Sequence, residues 1–337
     1  MHLFDLLKCL KALVVGYGSI GKRHIENLSH YQNIEILVCT NRKTDQFLRK
    51  KKCKIFNSIE GSLKERPDVA IITNVSSLHV STATKLARKN IDVFIEKPLS
   101  NSSKGLKTLL KIVKNRRLIT LMGFPLRFHP CLLKIKEIIS KKKLGRIIFV
   151  SVENSSYLPD WHPNEDYRKS YAAREDLGGG AVLTCLHELD YLFWFLGNVS
   201  EVFSVTGKYS KLDIQADDLS SILMKFKNNA VGEIHLDFFQ RPAFRNCKIV
   251  GTKGTIYWNF DENIVRFYDI RKKRWINKLK LNKFDMNDMY FSELDHFLNC
   301  VKNRKKTLND IEQGIKVLEI ALVIKKASKL KRMIRVP

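Results

Sequence analysis

Two apolar patterns divide this chain. Over roughly its first third, short runs that are mostly apolar alternate with segments whose apolar residues recur at helical spacing. The runs are 11–15, 34–39, 54–56, 68–73, 91–95 and 118–122. A strand buried on both faces reads as such a run, and helical segments between them predict a doubly wound parallel sheet. Helices are expected over 22–29, from His79 to about Lys89, and over 104–114. Beyond Gly123-Phe124 the pattern changes. A helix over 130–140 leads to mostly alternating runs at 145–153, 201–208, 218–226, 230–239, 246–250, 255–258 and 265–268. Hairpin spacing between most of them predicts a largely antiparallel sheet. One continuous helix is expected over 181–196, ended by Gly197, and helices over 290–303 and 311–329 close the chain. The expected division is an extension (1–10), a dinucleotide-binding domain (11–125) and a second domain (126–337).

Composition narrows the setting. With 44% hydrophobic residues the chain can fill a sizeable core. No apolar run is long enough to span a bilayer, so no membrane partner is expected. The start, to Lys11, is too short and lacks a cleavage site for a secretory signal. Seven scattered cysteines without a C-x-x-C pair point to a reducing compartment, the cytoplasm. The net charge of +26 is read as lysine filling solvated helix faces. Runs such as Arg49-Lys50-Lys51-Lys52 and Lys141-Lys142-Lys143 carry no interleaved aromatic residues, so nucleic acid is not the expected partner.

Candidate chemistry starts at Gly16-Tyr17-Gly18-Ser19-Ile20-Gly21, placed between the first strand and a helix. Gly16 permits the tight turn, Gly18 lets the backbone approach a pyrophosphate, and Gly21 allows close packing, while the helix N-terminus offers free N–H groups. An NAD-selective site usually ends the second strand with an acid. Thr40-Asn41-Arg42 stands there instead and suits a 2′-phosphate, which tilts the expected cofactor towards NADP over NAD. A solvated-loop role for Arg42 stays open. The strand Ile91–Ile95 runs into Glu96-Lys97-Pro98, putting charge at the carboxyl edge where ligands bind in such sheets.

The second domain offers His187. Helical spacing puts Thr184 (i−3) and Tyr191 (i+4) on its stripe, and Asp190 (i+3) close enough to orient the imidazole. Moving a hydride off an alcohol carbon requires a base for the hydroxyl proton, and an imidazole assisted by an ammonium suits that role. Spacing alone favours a core histidine bonded by Asp190. Cys185 and His187 lack further ligands at useful spacing, so no metal is expected. His24 and His129 read as packing or capping residues.

Taken together these motifs resemble the glucose-fructose oxidoreductase, inositol dehydrogenase and MocA family. The likeness runs from Lys11 to Ser328 and rests on Gly16 through His24, the Thr73-Asn74…His79 loop, Glu96-Lys97-Pro98, Arg127-Phe128 and Gly178-Gly179-Gly180…His187…Asp190. It implies a Rossmann domain plus an α+β domain with an open-faced sheet, through which homodimers or homotetramers form. It also implies nicotinamide-dependent redox chemistry at a hydroxyl or keto group of a sugar, sugar acid or nucleotide sugar. The cofactor is then held by residues 16–21, Thr40, Asn41, Arg42, Thr73, Asn74, His79, Glu96, Lys97 and Arg127. Lys97 and His187 become the catalytic pair, with a Lys-Pro bond that is often cis in the family. Trp161, Arg168 and Thr184 join His187 as substrate residues, although a structural loop anchored by an aromatic explains Trp161 and Arg168 equally. Tyr157-Leu-Pro-Asp-Trp161, Asp166-Tyr-Arg168 and His187-Glu-Leu-Asp-Tyr191 look like a subgroup associated with microbial surface polysaccharides and nonulosonic acids.

Two positions depart from the family pattern. Thr184 replaces the usual Asp one turn before the histidine, and Pro125 replaces the usual Asn before the Arg-Phe pair. Two other readings use the same residues: an NAD-dependent glycosidase that oxidises, eliminates and re-reduces, and a non-catalytic NAD(P)-binding sensor.

Overall fold

The computed structural model describes residues 9–337, so residues 1–8 of the expected extension lie outside the described residues. The chain forms two compact units. One runs to Phe124 and adds Tyr290–Ile315, and the other takes Pro125–Met289 and Lys316–Pro337.

The first unit is built from β1 (Leu10–Val15), α1 (Ser19–Leu28), β2 (Ile34–Cys39), α2 (Gln46–Lys50), β3 (Lys54–Phe56), α3 (Ile59–Leu63), β4 (Val69–Ile72), α4 (His79–Ala87), β5 (Asp92–Glu96), α5 (Leu106–Asn115) and β6 (Thr120–Gly123). Its six-stranded sheet has the order β3-β2-β1-β4-β5-β6, every pair parallel. The order reverses between β1 and β4, and their carboxyl ends are where such a sheet binds ligands. Ala12, Val14, Ile71 and Phe94 lie in the core together with Leu294, Phe297 and Leu298 from the far end of the chain. That returning segment also covers the edge strand: Met122 N–H donates to Asn309 O (2.8 Å), and Thr307 Oγ1 donates to Thr120 O (2.6 Å). An uncovered edge would present unpaired backbone groups.

The second unit carries α6 (Pro130–Ser140), β7 (Ile147–Ser155), α7 (Ala181–Thr184), α8 (Leu186–Leu196), β8 (Val199–Gly207), β9 (Leu219–Phe226), β10 (Val231–Asp237), β11 (Phe244–Gly251), β12 (Gly254–Asn259), β13 (Ile264–Asp269) and β14 (Arg274–Lys280). Then follow α9 (Met286–Asn303), α10 (Ile311–Leu330) and β15 (Ile334–Arg335). The nine-stranded sheet has the order β14-β13-β12-β11-β7-β10-β9-β8-β15 and is antiparallel except between β7 and β10. Alternation sorts its faces. Val152, Ile222, Ile234, Cys247, Ile249 and Trp258 are buried on one. The other leaves Val205, Leu223, Val231 and Trp275 exposed by 44%, 49%, 43% and 50%.

The short helices α2 and α3 and the strands β14 and β15 were not expected, and one expected helix is broken. β14 reads Arg-Trp-Ile-Asn-Lys-Leu-Lys, where cations mask the alternation, and β15 has only two residues. The helix expected over 181–196 breaks at Cys185, whose ψ of 37° leaves the helical region. Asp217 anchors the first piece, accepting Ala181 N–H with its backbone oxygen (2.8 Å) and Val182 N–H with its carboxylate (3.1 Å). No helix among the described residues is long and apolar enough to cross a membrane.

Candidate active site

In the first unit the glycine loop joins β1 to α1. Gly16 takes φ +107°, and a Cβ there would meet Asn74 N at 2.6 Å. A Cβ on Gly21 would meet Gly16 O at 2.4 Å. Both positions therefore require glycine. Thr73 ties the loop to the end of β4, its hydroxyl reaching Val15 O (3.1 Å) and Gly16 O (3.0 Å). Gly18 caps α1 without a side-chain bond, no acid stands in the first turn of Ser19 and Ile20, and a Cβ on Gly18 would touch nothing within 4 Å. Open space before unsatisfied helix N–H groups fits the pyrophosphate of a nicotinamide dinucleotide.

Tyr17 contributes only backbone to that loop. Its side chain is buried and donates to Asp45 (2.7 Å), which also caps α2 through Leu48 N–H (3.1 Å) and pairs with Lys22 (3.3 Å). Burial and Asp45 raise the Tyr17 pKa. The acid nearest in sequence after β2 is thereby already engaged. At the tip of β2, Thr40 is half-buried and accepts Arg42 N–H on its hydroxyl (3.1 Å), while the side chains of Asn41 and Arg42 are exposed.

His79 joins the loop after β4 to the turn after β5. It is buried, with Nδ1 2.8 Å from Pro98 O and Nε2 2.8 Å from Asn74 O. Burial lowers its pKa, and a neutral ring donates to only one carbonyl at a time. The Asn74 amide donates to Thr82 Oγ1 (3.1 Å). Lys97 directly follows β5, is half-buried, and forms a cis bond to Pro98. Before it, Glu96 lies 2.7 Å from His24 Nε2 and close against Gly123. His24 is thus a partner of the Glu-Lys-Pro turn as well as a packing residue, and it also stands edge-on to Phe94 at 4.9 Å. Tyr290 is a further group there that sequence reasoning passed over. Burial and Glu96 raise its pKa, Arg23 and Lys97 oppose the shift, and the Arg23 guanidinium lies 4.3 Å from its ring centroid.

In the second unit His187 is half-buried near the start of α8, and Thr184 is buried just before the break. The two no longer share one helix, which weakens the stripe argument. Asp190 and Arg127 are paired. Arg127 is wholly buried and grips Asp190 bidentately, Nε to Oδ2 at 2.9 Å and Nη2 to Oδ1 at 2.7 Å. Two residues expected at the site, Arg127 and Asp190, thus also form a buried ion pair with each other. Tyr191 is core, edge-on to Trp258 at 6.1 Å. His129 does cap: its Nδ1 accepts Cys131 N–H (3.1 Å) at the start of α6.

Trp161 and Arg168 share one loop and are anchored within it. The Trp161 indole donates to Ser156 Oγ (2.8 Å) and stands edge-on to Phe238. Arg168 closes onto Asp166 through Nε (2.8 Å) and Nη2 (3.0 Å) and is largely exposed. The glycine triplet serves packing: a Cβ on Gly179 would meet Tyr171 O at 2.1 Å. Among the described residues no group of three or more His, Cys, Asp or Glu could hold a metal ion.

Two segments of the chain match models of known protein families. Residues 10–124 match the family model described as "Oxidoreductase family, NAD-binding Rossmann fold". Residues 132–257 match the one described as "GFO/IDH/MocA C-terminal domain". Myo-inositol 2-dehydrogenase of Thermotoga maritima is 25% identical over 96% of this chain and 97% of its own length. Levoglucosan dehydrogenase in complex with NADH superimposes with a TM-score of 0.88 at 16% identity, over 97% of this chain and 99% of that one. The WlbA dehydrogenase of Bordetella pertussis, in complex with NADH and UDP-GlcNAcA, gives 0.82 at 21% identity, over 98% of each. At those identities the two structures speak to fold alone.

Proposed function

The chain belongs to the glucose-fructose oxidoreductase, inositol dehydrogenase and MocA family of NAD(P)-dependent oxidoreductases acting on CH–OH groups, and from that premise we propose a sugar, sugar acid or nucleotide sugar as its substrate. The observation carrying this reading is Lys97, half-buried directly after β5 at the carboxyl edge that also bears the glycine loop. An ammonium there polarises the substrate oxygen, and the His187 imidazole takes or returns the hydroxyl proton. The nicotinamide, when bound, accepts or supplies the hydride. Thr184 hydrogen-bonds substrate but cannot share the proton as a carboxylate would. His79 and His24 hold the turns on either side of Lys97. Trp161 and Arg168 border the substrate, Arg168 by exchanging Asp166 for an anionic group.

A nucleotide sugar and a role in surface-glycan synthesis draw support from the likeness to WlbA, whose structure holds UDP-GlcNAcA, and from the loop motif around Trp161. NADP is favoured over NAD by Arg42 and by the absence of an acid in Thr40-Asn41-Arg42. Val205, Leu223 and Val231, exposed on the open sheet face, suit a homodimer or homotetramer, and the scattered cysteines suit the cytoplasm. Lys97→Ala tests the mechanism. Turnover is expected to fall by roughly two to four orders of magnitude while nicotinamide binding, followed by fluorescence titration, is retained. Near-normal turnover in that variant refutes the assignment.

A further inference from the structure

A run of cations without ion-pair partners lies at and beyond the β13–β14 hairpin. Residues 271–283 read Arg-Lys-Lys-Arg-Trp-Ile-Asn-Lys-Leu-Lys-Leu-Asn-Lys, which is seven cations and no acid. Among the described residues none of the seven makes an ion pair. Other lysine-rich stretches differ: Lys51 pairs with Glu26 and Lys141 with Glu137, each at 2.7 Å. Asp269, the one acid beside the tip, turns its carboxylate onto Arg271 N–H (2.9 Å) and Lys272 N–H (3.3 Å). The four-residue tip from Ile270 to Lys273 starts on an exposed apolar side chain, Ile270 at 48%, and a second, Trp275 at 50%, follows it on β14. Tyr268 stands edge-on to that indole, 5.5 Å between centroids. β14 is an edge strand of its sheet.

We propose that this hairpin docks the protein on an anionic lipid bilayer surface. Cations alone would be explained as protection of an edge strand against pairing, but that purpose calls for no exposed isoleucine at the tip or indole beyond it. Single-stranded nucleic acid would use the cations and stack on Trp275, yet it gains nothing from a branched aliphatic side chain. A bilayer interface uses all three: headgroup phosphates meet the cations, the indole sits at headgroup level, and Ile270 enters the acyl boundary. The protein then lies on a membrane without spanning it, consistent with the lack of a spanning helix among the described residues.

Co-sedimentation of the full-length protein tests this. Vesicles of phosphatidylcholine mixed with phosphatidylglycerol should retain it, with retention falling as salt rises, whereas phosphatidylcholine alone should not. K272E/K273E should lower partitioning roughly tenfold or more, and I270A/W275A should lower it with the charge unchanged. In the wild type, lipids brominated on the acyl chain should quench emission that is missing in W275F. That measurement decides the matter even if the tip variants fold poorly. Equal retention on both vesicle types, no retention on the anionic ones, or tighter binding of a single-stranded oligonucleotide overturns the proposal. So does dissociation of an oligomer by W275A without lipid, since Trp275 would then belong to an interface between copies.

Discussion

Arg42 is exposed at the tip of β2, and the first acid beyond it, Asp45, is held by Tyr17, Lys22 and the backbone of α2. No carboxylate in that turn is left to accept a ribose hydroxyl, and a guanidinium is in place for a phosphate. Arg42→Ala is therefore expected to weaken NADP binding about tenfold or more, the size of one charge-assisted hydrogen bond, and to leave NAD nearly unaffected. Equal effects in a fluorescence titration would show that Arg42 is a loop residue. Gly16 and Gly21 were legible in the sequence because their constraint is local, each meeting a Thr73, Asn74 or Gly16 atom fixed by the strand ends. Side-chain partners were less so. His24 meets Glu96 across 72 positions and Arg127 meets Asp190 across 63. Neither spacing is periodic, so nothing in the sequence pairs either residue with its partner.

Among the elements, α6 carries an acid-sensitive start. His129 caps it through Nδ1 and packs against Trp258, Phe260 and Phe284. Burial, with Arg245 nearby, pushes its pKa down from 6.5 to about 4. Between those values the unfolded chain binds a proton at His129 that the folded chain does not. Stability therefore rises with pH through this window and is lost as pH falls, by up to about 3 kcal/mol. Protonation would also remove the acceptor on which the cap depends. His129→Asn, which keeps an acceptor at the cap, is expected to melt at a temperature less dependent on pH between 6.5 and 4; an unchanged slope would place the sensitivity elsewhere. Runs of clean period were readable as elements, β2 to the residue. β14 was not, because four of its seven residues are basic or amide. The break at Cys185 was hidden because Asp217, which fixes the first piece, lies on a later segment.

For the whole molecule, the doubly wound sheet and the largely antiparallel second sheet follow from the two apolar patterns, and the division of helices between units does not. The open face of the second sheet makes a prediction at this scale. Leu223 and Val231, with Val205, stand exposed on neighbouring strands β8, β9 and β10. Leu223→Lys is expected to dissociate the proposed homo-oligomer, seen as a fall in mass by light scattering, with nicotinamide binding intact; an unchanged mass would refute an interface on this face. The return of Tyr290–Ile315 to the first unit bears on biosynthesis. Leu294, Phe297 and Leu298 fill the same core as Ala12 and Phe94, and Thr307 and Asn309 cover β6. A ribosome translating this chain has made the whole nine-stranded sheet except β15 before it delivers those residues. The half made first is thus finished last, and a nascent chain halted at Phe124 would expose the core surface and strand edge that the end of the chain is there to cover.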